Sequence, residues 1–168
     1  MGVRMLATTL CVGGLVLSAC SPADRGAVVS SPRAVAPLGP IRSQVDLQRY
    51  LSATATPGSP LGALSSDARM RFLSSITFNE KGITGFKYSD LQSELTANQI
   101  VAVLQLFGVA KDITIIPNVR VETSSDRRAI RAFQLQDPPD DGNDYRDYYC
   151  ITRATCSPSP TSICTSNC

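Results

Sequence analysis

Apolar side chains recur along this chain with two different periods, and the points where the period changes mark out its elements. Leu47, Tyr50 and Leu51 fall three and four residues apart behind Ser43, which predicts a short helix with one apolar face and a serine cap. Pro57-Gly58-Ser59-Pro60 ends it. A second helix is expected from Ser65 or Ser66, with Ala68, Phe72 and Ile76 on one stripe and Met70 and Leu73 beside it. The period then drops to two. Ile76 and Phe78 alternate with Thr77, and Thr84, Phe86 and Tyr88 with Gly85 and Lys87, so Asn79-Glu80-Lys81-Gly82 between them reads as a hairpin turn with Gly82 at positive φ. Leu95-Thr96-Ala97-Asn98-Gln99-Ile100 carries both a capping box and a hydrophobic staple. Ile100, Val103, Leu104 and Phe107 follow at helical spacing, widened by Val101 and Leu106, and Gly108 supplies the stop. This helix holds the most large apolar groups, so it is expected at the centre of the core. Ser89-Asp90-Leu91-Gln92 opens a shorter turn before it. Beyond Gly108, Ile113 to Ile116 and Val119 to Glu122 read as short strands around Pro117-Asn118, and Ser125 to Phe133 as a last helix.

The ends of the chain do not follow either period. Residues 1–19 have Arg4, an apolar stretch from Leu6 to Val16, and then Leu17, Ser18 and Ala19 immediately before Cys20. This arrangement resembles the signal peptide of a bacterial lipoprotein. The resemblance covers about the first 20 residues and implies cleavage before Cys20, lipidation of its thiol, and attachment to a bilayer that the protein does not span. The apolar stretch falls short of the roughly 20 residues of a spanning helix. Ser21, where aspartate would retain such a protein in the inner membrane, favours the outer membrane. Residues 20–40, with Pro22, Pro32, Pro37 and Pro40 among small side chains, are expected to be a lipidated flexible tether.

Composition removes several classes of chemistry. Without residues 1–19 the chain keeps 15 of its 16 basic side chains, losing only Arg4, against 14 acidic ones. That balance leaves no footprint for nucleic acid. There is no histidine, which removes the commonest general base and metal ligand. No phosphate-cradling loop, nucleophile elbow or calcium loop is present, and nothing calls for a cofactor or a metal. Glu80, Asp90 and Glu94 are the only acids of the central region with a case for paired-carboxylate chemistry, and nothing in their spacing selects them. Arg127, Arg128 and Arg131 form a small basic face, a possible patch for an envelope protein partner.

Residues 136–149, with five aspartates around Pro138-Pro139, read as an acidic linker. After it come Cys150, Cys156, Cys164 and Cys168, an even set that reads as two disulfides in an exported chain, with all three pairings open. The serines and threonines between them resemble the core of a thioether-bridged antimicrobial precursor, although the signal argues for the general export route. The sequence thus predicts a small α+β domain over 41–135, helices packed around a hairpin, followed by the linker and a disulfide-tied tail over 150–168. The expected role is a non-enzymatic interaction domain held on a membrane. A carboxylate-based cell-wall enzyme and a secreted effector with an active tail are the alternatives.

Overall fold

The computed structural model describes residues 41–53, 58–135 and 144–168. Over these residues it is an α+β fold of five α-helices and one four-stranded antiparallel sheet. The helices are α1 (Gln44–Ala53), α2 (Ser66–Ser74), α3 (Ser89–Glu94), α4 (Ala97–Gln105) and α5 (Ser124–Gln134). The strands are β1 (Thr77–Asn79), β2 (Gly82–Lys87), β3 (Tyr145–Thr152) and β4 (Thr155–Cys164), in the order β1-β2-β4-β3.

Helices α1, α2, α4 and α5 begin where a side chain can take their orphan amides. Ser43 Oγ accepts the Asp46 amide at 3.1 Å ahead of α1, and Ser65 Oγ accepts that of Ala68 at 3.3 Å in α2. The Thr96 and Gln99 capping box forms on α4, with the Thr96 amide donating to Gln99 Oε1 at 2.9 Å. Gly108 stops the turn that follows, at φ 73°. Helix α4 carries Ile100, Val103 and Leu104, all wholly buried. Phe72 of α2 meets Phe86 of β2 and Phe107 edge-on, with ring centroids 6.2 and 6.0 Å apart. Met70, expected beside the apolar stripe of α2, is 65% exposed.

The hairpin turns through Glu80-Lys81, with Asn79 opposite Gly82 and Gly82 at φ 134°. One extra residue on β2 lies between Ile83 and Gly85, because Phe78 pairs with Ile83 and Thr77 with Gly85. That bulge changes the parity of the strand, so Ile83 joins Phe86 in the core, and Thr84 bonds to the Thr77 hydroxyl at 2.9 Å instead.

Two expectations fail. The segment read as strands over 113–116 and 119–122 is a 3-10 helix, Ala110–Thr114, followed by a turn with Asn118 at φ 49° and a single bridge from Arg120 to Thr96. Ile113 and Ile116 are the buried pair, three residues apart, which is a 3-10 repeat rather than a strand repeat. The separation of linker and tail also fails over the described residues, since 145–164 supply two strands of the sheet and Ile163 and Cys164 are wholly buried. Residues 136–143 of the expected linker lie outside the described residues, as do the expected tether and the first 19 residues.

Candidate functional site

The β3–β4 hairpin is doubled back on itself. Cys156 and Cys164 stand at the two ends of β4, yet their Cα atoms are 6.1 Å apart, where eight extended residues would span about 26 Å. The fold occurs where Arg146 pairs with Ile163 but Tyr148 pairs with Pro158, leaving residues 159–162 of β4 opposite Asp147 alone. Asp147 and Thr161 take φ values of 64° and 58° there. Neither is glycine, and each costs about 1–3 kcal/mol that its surroundings must offset.

Those surroundings are visible. The Tyr88 hydroxyl donates to Asp147 Oδ1 at 2.7 Å, the Thr161 amide donates to the same oxygen at 3.1 Å, and the Tyr88 amide donates to the Thr161 carbonyl at 2.8 Å. Burial, and then the bond to Asp147, push the Tyr88 hydroxyl up to about 12, and the same bond holds Asp147 below the usual carboxylate range.

Two disulfides staple the doubled hairpin. Cys156–Cys164 joins the arms of β4, and Cys150–Cys168 joins the far arm of β3 to the chain end, with Cα atoms 5.7 Å apart. The Ala154 amide at the hairpin tip also donates to the Cys168 carbonyl at 2.6 Å. The sulfurs of Cys150, Cys164 and Cys168 lie within 4.8 Å of one another, but bonded in disulfides they offer no thiolate to a metal. Just before Cys168, Asn79 Nδ2 donates to the Asn167 carbonyl at 2.6 Å, and Thr165 Oγ1 to that of Ile83 at 2.6 Å. The C-terminal turn is thereby sewn to the first hairpin.

The returning arm closes one side of a groove of about 490 Å3. Gly85, with no side chain, lets that arm lie close over β2. A Cβ there would stand 3.0 Å from the Ile163 carbonyl and 3.5 Å from the Tyr149 ring, which reaches across β4. Arg71 at the end of α2 forms the opposite wall, donating through Nε and Nη2 to Asp90 Oδ1 at 3.1 and 2.6 Å. Ser75 donates to the Phe72 carbonyl and accepts the Lys87 amide, at 2.7 and 2.9 Å, tying the helix end to the strand end. Ser74, Ser89 and Ser159 complete the lining. The Lys87 ammonium and the hydroxyls of Ser89 and Tyr149 have no partner among the described residues.

The residues singled out from the sequence fall in several places. Cys20 and its neighbours Leu17, Ser18 and Ala19 lie outside the described residues. Arg127, Arg128 and Arg131 are exposed on α5, Arg128 donating to Ser124 and Ser125. Asp90 holds Arg71 in the groove, Glu94 accepts the amide and hydroxyl of Ser65 at 2.7 Å, and Glu80 is exposed in the turn. They share no cleft as a carboxylate pair. The acids that do meet are Asp112 and Asp144, which the periodicity gave no reason to join. Asp112 is 1% exposed, and both its carboxyl oxygens lack a donor among the described residues. Asp144 takes Lys111 Nζ at 2.9 Å and the Ser166 amide. Compared with protein-family models, curated proteins and solved structures, the chain matches none.

Proposed function

We propose that this chain is a lipid-anchored lipoprotein of the bacterial cell envelope, the outer membrane being favoured, that presents a small non-enzymatic interaction domain to the periplasm or exterior. The observation that carries the reading is Leu17-Ser18-Ala19-Cys20 behind a basic and then an apolar stretch. Two disulfides inside the sheet agree with it, because they form and persist outside a reducing cytoplasm. The pairing of all four late cysteines with one another supports this reading over a thioether-bridged precursor. Among the described residues, no helix is long and apolar enough to cross a membrane. The absence of an enzymatic role is argued from the acids: Asp90 and Glu94 are engaged with Arg71 and Ser65, and the sequence holds no histidine to serve as a base.

Labelled palmitate supplied to expressing cells tests the anchor. Incorporation into the intact protein and its loss in Cys20→Ala are expected, together with an uncleaved or soluble variant. Equal labelling of the two proteins would refute lipidation at Cys20.

A further inference from the structure

We propose that the groove between α2, α3 and the folded-back arm of β3–β4 is a binding site for a small acidic saccharide, a sugar bearing one carboxylate or phosphate. The proposal deepens the interaction-domain reading and rests on it. Four features of the groove select this ligand chemistry.

The first is charge. Arg71 and Asp90 neutralise one another through two hydrogen bonds to one carboxylate, so the groove's net charge is that of Lys87, a single cation with no partner among the described residues. A ligand with one anionic group matches it. The second is hydroxyl chemistry. Asp90 is a fixed acceptor for sugar hydroxyls, while the unengaged hydroxyls of Ser89 and Tyr149 can both donate and accept. An aliphatic acid would leave these groups unsatisfied on closure, at the cost of desolvating them. The third is shape. A volume of about 490 Å3 is within the usual range for small-ligand sites, and the half-buried Tyr149 ring supplies an apolar face for the C–H side of a sugar ring.

The fourth feature is the backbone. Ser159 belongs to the bulge that sets Asp147 and Thr161 at positive φ, and Tyr149 reaches Gly85 only because the hairpin is folded there. Unfavourable backbone at two residues beside a groove is a common mark of a functional site. Here it carries two of the lining side chains into place.

Calorimetric titration of the full chain, with its disulfides formed, would use glucuronic acid and glucose 6-phosphate as probes, with glucose and inorganic phosphate as references. Both acidic sugars are expected to bind and to exceed both references. Lys87→Ala should weaken them about tenfold or more, the size of a single charge-assisted contact. Lys81→Ala, which removes the same charge from the exposed hairpin turn, should leave binding unchanged. No binding of either acidic sugar would overturn the site. So would equal weakening by the two lysine variants, or phosphate binding as tightly as glucose 6-phosphate, which would mean a bare anion site. A sugar that binds at Lys87 and is recovered chemically altered would instead sink the non-enzymatic reading and leave the site standing.

Discussion

Asp112 and Asp126 are both about 1% exposed, and their surroundings push them in opposite directions. Asp126 is surrounded by donors: Oδ1 accepts the Asn98 amide of α4 at 2.9 Å, and Oδ2 accepts the amide and hydroxyl of Thr123 at 2.8 and 2.7 Å. The Asn98 amide first, and then Thr123, hold its carboxyl far below the usual range. One charge therefore caps two helices. Asp112 has no donor among the described residues, and burial, followed by the charge of Asp144, raises it well above the usual range. Two ionised carboxylates would meet as acceptors only, whereas a proton on Asp112 makes the contact a hydrogen bond. For Asp144, burial works upward but is outweighed by bonds from Asp112 and Lys111, leaving it low. The linkage signs are opposite. The contribution of Asp126 is present above its unfolded value of about 3.9 and lost as pH falls through its folded value. That of Asp112 is full below about 3.9 and lost as pH rises through its folded value. Urea titrations from about pH 3 to about pH 8 should therefore show Asp112→Asn gaining stability over the native chain toward neutrality. Asp126→Ala should lose about 1–4 kcal/mol at neutral pH, one cap at each of two helices, and lose less in acid. Parallel pH profiles for all three proteins would contradict both assignments.

At the scale of elements, packing on α4 decides the fold, and α4 was also the most legible segment. Its capping box, staple and apolar spacing agree with one another, and local signals that agree with the global fold are easy to read. Leu104 is wholly buried, so Leu104→Ala should cost about 2–5 kcal/mol in denaturant titration. A loss below about 0.5 kcal/mol, typical of a surface site, would show that α4 is not central. The first hairpin was legible through its turn and Gly82 but not in its parity, because the bulge carries Ile83 into the core beside Phe86. The stretch Ile113-Thr114-Ile115-Ile116 was misread because its β-branched residues favour strands while its burial repeats every three residues. The second hairpin was hidden for a different reason. Its turn is Arg153-Ala154, with Ala154 at φ 58°, and it contains no glycine or asparagine to announce it. Pro160 falls among the bulged residues 159–162, where no ladder bond needs its missing amide. Of the groove, the sequence offered only Asp90, as an acid without a reason. The signal available was Gly85, an interior strand glycine that marks a close approach.

For the whole molecule, the question is how much of the domain depends on the two disulfides. A cysteine tail outside the fold would loosen on reduction and leave the rest untouched. The pairing found here divides the hairpin differently. Its near arm, Tyr145 and Arg146 against Ile163 and Cys164, is continuous with β2 through the pairs Gly85–Cys164 and Phe86–Ile163, and Ile163 belongs to the core. Its far arm, Tyr148–Thr152 against Thr155–Pro158, is held back over the sheet by the bulge, the tip contact from Ala154 to Cys168 and the disulfides. Reduction should therefore free the far arm first and open the groove that Tyr149 and Ser159 close, while β1, β2 and the near arm remain paired. Each bridge should add about 2–4 kcal/mol, the larger share falling to Cys150–Cys168, which closes the longer loop, a separation of 18 residues against 8. Hydrogen exchange on the reduced full chain would resolve the two arms. Fast exchange is expected at amides of 148–157, and protection is expected to persist at Phe86 and Ile163. Loss of protection at all of these together would show that the far arm and the core are one cooperative unit, so that the disulfides hold the whole domain and not the far arm alone.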